Sequence, residues 1–172
     1  MKIKLTPELA YVIGLWRKKK SFEGLGVHGN ERLLAVFSEE ALRQKLAEPG
    51  KLLSNESRVY FYHTAYKKFF SEVEKEQLER FKYLNDYAAN YLAGLFDAVG
   101  DIDERGMVSF YKISQEDDLL LLRLGFHGKR RKEKFFMEKP LVFLAFIRNY
   151  VKIFKDHQVF AMVEKLKKKR KS

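Results

Sequence analysis

Two stretches of this chain follow one pattern. Tyr11-Val12-Ile13-Gly14-Leu15-Trp16 and Tyr91-Leu92-Ala93-Gly94-Leu95-Phe96 share Tyr, Gly and Leu at an offset of 80 in a chain of 172 residues. A repeat near half the length predicts two halves, 1–84 and 85–172, related by a pseudo-two-fold within one domain. Both stretches are apolar at helical spacing. Glycine inside a helix costs about 1 kcal/mol relative to alanine. Its presence at matched positions predicts two helices that approach too closely for a side chain between them.

The remaining elements fall around these two helices. Thr6-Pro7-Glu8 opens the first, with Thr as cap and Pro at the first helical position. Phe22 to His28 reads as a strand, Gly29-Asn30 as a turn, and the continuously apolar Leu33 to Phe37 as a second strand. Ser38-Glu39-Glu40 caps a short helix through Ala47, which Pro49-Gly50 breaks. Lys51 to Ser54 and Arg58 to His63 form a hairpin; Arg58, Tyr60 and Tyr62 share one face, Val59 and Phe61 the other. A helix over Ala65 to Tyr83 buries Tyr66, Phe69, Phe70, Val73 and Phe81. Asn85 or Asp86 caps the second repeat helix, which ends at Val99-Gly100. Met107 to Ile113, Leu119 to His127 and Lys132 to Phe136 read as strands. Pro140 opens a helix with Leu141, Leu144, Ile147, Val151 and Phe154 on one face, and a last helix carries Val159, Met162, Val163 and Leu166. The order is helix, hairpin, helix, hairpin, helix, then a second pass without the short helix between hairpins. That is an α+β chain.

Composition narrows the function. Apolar residues make up 46% and aromatics 15%, which excludes a disordered chain. No run approaches the roughly 20 apolar residues of a membrane span, and no apolar leader follows Met1, so the expected location is intracellular: cytoplasmic and nucleoid-associated. Cysteine is absent, which excludes disulfides, thiolate metal sites and a cysteine nucleophile. There is neither a phosphate-binding Gly-rich loop with Lys-Ser/Thr nor a His-Glu-x-x-His pair. His28, His63, His127 and His157 lie far apart. Gly26-Val27-His28-Gly29 resembles Gly125-Phe126-His127-Gly128, but at an offset of 99, so the two read as strand ends. The net charge of +11 predicts a polyanionic partner, with nucleic acid the commonest. Basic residues concentrate in Arg17 to Lys20, in Lys129 to Lys132, and from Lys165 to Lys171. Abundant Lys and Glu match a thermophile's composition.

The second repeat carries more than periodicity. Leu92-Ala93-Gly94-Leu95-Phe96-Asp97-Ala98-Val99-Gly100 resembles the nine-residue signature of the LAGLIDADG homing endonuclease family, with Phe96 and Val99 as the departures. Val12 through Lys20 is a degenerate copy, followed by Ser21-Phe22. The resemblance implies a double-motif monomer of two αββαββα halves. In that family two motif helices pack at the centre, each ends at the DNA, and two four-stranded sheets form a saddle over the duplex. An acid at the eighth motif position of each helix holds the divalent ions for phosphodiester cleavage.

Here the eighth positions are Lys19 and Val99. Neither offers the hard oxygen ligand that Mg²⁺ requires. A lysine at a helix C-terminus is favourable by about 0.3–1 kcal/mol, where a carboxylate is unfavourable. The expectation is a catalytically inactive, LAGLIDADG-like double-stranded DNA-binding protein, regulatory or chromosomal, with no cofactor. Two alternatives stand. A residual endonuclease would hold Mg²⁺ through displaced acids, Asp97, Asp101 or Asp103, and an RNA-binding maturase-like protein would take structured RNA. The expected nucleic-acid surface comprises Lys18, Lys19 and Lys20 at the first helix end, and Arg58, Tyr60 and Tyr62 on one strand. Ser109 and Tyr111 lie on a second strand, Arg123 and His127 on a third, and Arg105 beside the second motif. A loop of Lys129, Arg130, Arg131 and Lys132 would reach phosphates.

Overall fold

At the centre of the molecule two helices lie backbone on backbone. The computed structural model describes residues 2–171, with side chains described through Lys165. Helix α1 spans Pro7–Arg17 and α5 spans Asp86–Val99. Thr6 caps the first by accepting the Leu9 N–H at 3.1 Å, and Asn85 caps the second through Ala88. A Cβ added at Gly14 would collide with the carbonyl oxygen of Tyr91, and one at Gly94 with that of Tyr11. The repeat glycines therefore occupy equivalent places at the contact. The fifth motif residue of each helix is a bulky aromatic that packs edge-on beneath its own half. Trp16 meets Phe70 at 5.4 Å between ring centroids, and Phe96 meets Phe110 at 5.5 Å and Phe143 at 5.9 Å.

Each helix feeds an antiparallel sheet. In the first half β1 (Leu25–His28), β2 (Leu53–Ser54) and β3 (Arg58–Phe61) are ordered β1-β3-β2. In the second, β4 (Gly100–Ile102), β5 (Val108–Tyr111), β6 (Gly128–Arg131) and β7 (Lys134–Met137) are ordered β4-β5-β7-β6. Around them lie α2 (Glu31–Arg43), a single 3-10 turn at Pro49–Lys51, α3 (Thr64–Lys75), α4 (Gln77–Arg80), α6 (Gln115–Arg123), α7 (Pro140–Ile147) and α8 (Val159–Lys171). Both halves thus contain a helix between their hairpins. The side chains of Leu166 and of the basic run beyond Lys165 lie outside those described.

Several elements differ from the sequence expectation. Leu33 to Phe37 is helical: Asn30 caps α2 by accepting the Leu33 N–H at 2.9 Å, and Leu33, Val36, Phe37 and Ala41 form its buried stripe. A short apolar run suits a buried strand and a helix equally, and the cap decides between them. Leu119 to His127 is likewise a helix end rather than a strand. Ser114 and Asp117 form a reciprocal capping box at the start of α6, and Leu120, Leu121 and Leu124 are buried while Leu119 and Leu122 are exposed. The helix missing from the second pass is therefore α6. Strand β1 begins only at Leu25, leaving Phe22 in an exposed turn. The helix over Ala65 to Tyr83 is interrupted at Glu76.

The helix from Pro140 stops at Ile147, well before Phe154, because Asp97 organises the chain that follows. Its carboxylate is buried and accepts the Tyr11 hydroxyl at 2.5 Å, the Lys152 N–H at 2.7 Å and the Phe154 N–H at 3.3 Å. The equivalent position in α1 is Arg17, also buried. It donates to Asp117 of α6 (3.0 Å), Glu74 of α3 (3.1 Å) and the Ser114 hydroxyl (3.2 Å). One half therefore anchors its helix end with an anion and the other with a cation.

Gly94→Ala should destabilise the fold by about 3 kcal/mol in denaturant titration, the upper end of overpacking costs, because a backbone carbonyl cannot move aside. Gly50→Ala, where an added Cβ meets nothing, should cost under about 1 kcal/mol. Burial, the largest influence, raises the Asp97 carboxyl above the ordinary 3.8, against the hydrogen bonds from Tyr11 and the 152–154 backbone that lower it. A raised folded value means that protonation favours the folded state. This contribution is complete below pH 3.8 and is lost as pH rises through the higher folded value. The stability of the wild type relative to Asp97→Asn should therefore fall as pH climbs through that window. A pH-independent difference would refute this account.

Candidate nucleic-acid interface

The interface begins where the repeat helices end. After α1 the His28 N–H donates to the Lys19 carbonyl at 2.9 Å, Lys20 bridges Val27, and the Ser21 N–H donates to the Gly26 carbonyl at 3.0 Å. In the second half Gly100 pairs with Phe110 and Asp101 with Ser109. Lys19–Ser21 is thus the vestige of a fourth strand in the first sheet, equivalent to β4. Opposed residues in an antiparallel pair point to the same side. Lys19 therefore shares the outward face with His28, while Lys20 shares the inward face with Val27. Lys20 accordingly lies 2.7 Å from Glu74 and 4.6 Å over the Trp16 ring. Lys18 leans to Asp117 at 3.9 Å. Of the expected trio, Lys19 is the one that register places on the outward sheet face, where it is half-buried, while Lys20 is exposed on the other side.

The second sheet carries the basic surface. Lys129 pairs with Phe136 and Arg131 with Lys134, while Ser109 pairs with Phe136 and Tyr111 with Lys134. Lys129, Arg131, Lys134 and Tyr111 therefore stand together on the outward face. Lys129 to Arg131 form strand β6, not a loop. Lys132 is in its turn, with φ at 55°. Arg130 points inward, donating to both Asp118 oxygens and to the Ile113 carbonyl and covering the Phe135 ring. It is a structural arginine that fixes the edge strand to α6. Ser109 faces outward by register, yet its neighbours bury it. The Tyr111 hydroxyl donates to Glu133 at 2.9 Å. Lys134 was not among the expected contact residues; strand alternation opposite Tyr111 is the signal that would have found it.

On the first sheet Arg58 and Tyr60 face outward from β3, with Val59 and Phe61 buried beneath, as their alternation predicts. The Arg58 guanidinium lies 5.2 Å from the Tyr60 ring centre. Tyr62 follows the strand end, its hydroxyl donating to Glu23 at 3.0 Å.

Other expected residues are placed elsewhere. Arg123 ends helix α6 and donates to the Leu78 carbonyl, away from the outward strand faces. His127 is exposed just before β6, on no strand. Arg105 lies exposed in the β4–β5 turn between Glu104 and Gly106.

The acids do not assemble a metal centre. Asp97 is committed to Tyr11 and the 152–154 backbone. Asp103 accepts the Arg105 and Met107 N–H groups at 2.8 and 2.9 Å, closing its own turn, and Asp101 stands exposed on the outward face of β4. Lys19 and Val99 supply no oxygen donors at the helix ends. Among the described residues no group of three His, Cys, Asp or Glu is placed to hold an ion.

No protein-family model matches the chain, and no curated protein matches it. Solved structures do. A structure of I-DmoI in complex with DNA and Ca matches with a TM-score of 0.60 at 12% identity, over 83% of this chain and 89% of that one. A structure of mesophilic variants of the homing endonuclease I-DmoI matches with a TM-score of 0.58 at 10% identity, over 82% and 95%. A third, of I-DmoI with DNA and Mn, matches with a TM-score of 0.55 at 11% identity, over 82% and 96%. I-DmoI is a LAGLIDADG homing endonuclease. At these identities the likeness is one of architecture, and the architecture is the double-motif LAGLIDADG fold in two pseudo-repeat halves.

Proposed function

We propose that this chain is a LAGLIDADG-family protein that binds double-stranded DNA without cleaving it. The observation that carries this reading is the outward face of the second sheet, where Lys129, Arg131 and Lys134 stand together. The solved I-DmoI structures of this architecture include complexes with DNA. Lys19 stands at the outward end of α1, where it would offer a cation to a phosphate. The departures at Lys19 and Val99, and the commitment of Asp97 to the interior, support a loss of metal-assisted hydrolysis. An internal pseudo-two-fold also supplies two sheets within one chain, so a monomer suffices for binding.

The test is a duplex titration across salt concentrations, with a parallel incubation of supercoiled plasmid in Mg²⁺ and Mn²⁺. Some eight phosphate contacts should give a log–log salt slope of about −7. The combined variant Lys129→Ala, Arg131→Ala and Lys134→Ala should weaken binding to all sequences alike and reduce the slope by about three. Arg123→Ala should leave both unchanged. No nicking should appear with either metal. A flat salt response refutes duplex binding, and metal-dependent nicks refute the loss of cleavage.

A further inference from the structure

The two outward faces are built from different chemistry. The second sheet presents Lys129, Arg131 and Lys134 around a single tyrosine, Tyr111; the first presents Tyr60 and Tyr62 beside Arg58. Phe22 is 94% exposed and Tyr62 65% exposed, in a molecule that buries most of its other aromatics. Tyr62 is tied to the turn that carries Phe22: Glu23, next to Phe22 in the chain, accepts the Tyr62 hydroxyl, and Ser21 holds the turn by donating its hydroxyl to the Glu23 carbonyl at 2.8 Å. Tyr60 stands edge-on to Tyr62 at 5.8 Å between centroids. Glycine makes room for it. Gly26 is directly opposite Tyr60, and a Cβ at Gly26 would run into that tyrosine. A Cβ at Gly24, where φ is +65°, would crowd the same ring. The exposed Leu53 flanks Tyr60 on the other strand.

Cations hold phosphates, and a free tyrosine hydroxyl does so too, but Phe22 has no such group and the Tyr62 hydroxyl is engaged by Glu23. A paired duplex shows a protein its base edges and backbone, whereas the faces of its bases are already stacked on one another. Exposed rings gain contact when a base leaves the stack, and base–aromatic stacking tolerates any sequence. Charge points to the same ligand, because Arg58 lies against the Tyr60 ring, and His28 and Lys19 are on the same face.

We infer that the first sheet, through Phe22, Tyr60 and Tyr62, takes unpaired bases of DNA that is held as a duplex on the second sheet. The ligand is then DNA with an unpaired segment beside a helix. This rests on the duplex-binding reading above. The experiment compares, by fluorescence anisotropy at one salt concentration, a labelled duplex, the same duplex with a central unpaired bubble, and an RNA hairpin with the bubble sequence as its loop. The wild type should bind the bubble about tenfold tighter than the duplex. The double variant Phe22→Ala and Tyr62→Ala should bring that ratio close to one; both side chains are exposed, and an unchanged melting temperature would verify the fold. A Phe22→Trp protein should lose indole fluorescence on adding the bubble and not the duplex, since Trp16 is buried and silent to both.

Equal affinity for duplex and bubble in the wild type overturns the inference and leaves duplex binding standing. An unchanged ratio in the double variant also overturns it. Tighter capture of the RNA hairpin than of the bubble overturns the assignment to DNA. Failure to bind any of the three overturns the duplex reading on which the inference rests.

Discussion

The contact between Gly14 and Gly94 is the constraint on which the rest of the molecule depends. Each glycine lies against the main chain of the opposite helix, so the two halves meet without side chains between them. This closeness brings Tyr11 of one half within hydrogen-bond reach of Asp97 of the other. It also carries Arg17 to Asp117, across the boundary between halves. The two sheets then take their places from strands that continue directly from the helix ends. A shift in the contact would therefore displace both outward faces relative to each other.

Around that contact the symmetry of the backbone is not matched by symmetry of charge. Arg17 and Asp97 occupy equivalent motif positions and do opposite electrostatic work. The arginine gathers Asp117 and Glu74 and ties α1 to α6 and α3, while the aspartate gathers backbone donors from the segment after α7. Arg17 is paired with Asp117 and Glu74, whereas the Asp97 carboxyl has only neutral hydrogen-bond donors around it, and burial favours its protonated form. Breaking the buried Arg17–Asp117 pair by removing one partner costs about 3–5 kcal/mol, so Arg17 resists change for structural reasons alone. The acids and bases nearest the helix ends are for the most part spoken for by the fold.

Much of this was legible in the residues. The repeat, the helix caps at Thr6 and Asn85, the alternation of β3 and the double-motif architecture all follow from local patterns that the tertiary structure reinforces. The errors have a common physical origin. Leu33 to Phe37 and Leu119 to Leu124 are runs in which apolar residues fill both a strand and a helix template. Only the caps at Asn30 and Ser114 discriminate, and these lie outside the runs. Strand β6 has no strand signature in the sequence because Gly128-Lys129-Arg130-Arg131 lacks apolar residues, which an edge strand does not need. Which way a charge points is likewise hidden from composition. Lys19 and Lys20 differ by one residue and face opposite sides, as do Lys129 and Arg130. Asp97 matched the family signature, yet its role is set by a loop some 55 residues later in the chain.

The unequal faces of the two sheets have a consequence for orientation. A fold with an internal two-fold and identical faces would accept a long ligand equally well in either sense. Here one end of such a ligand would face Tyr60 and Tyr62 with one arginine, Arg58, and the other would face Lys129, Arg131 and Lys134 with one tyrosine, Tyr111. Reversing it exchanges stacking for charge and is no longer an equivalent operation. The molecule is thus nearly symmetric in its chain path and polar in its chemistry, and a ligand spanning both sheets has one preferred sense rather than two of equal energy.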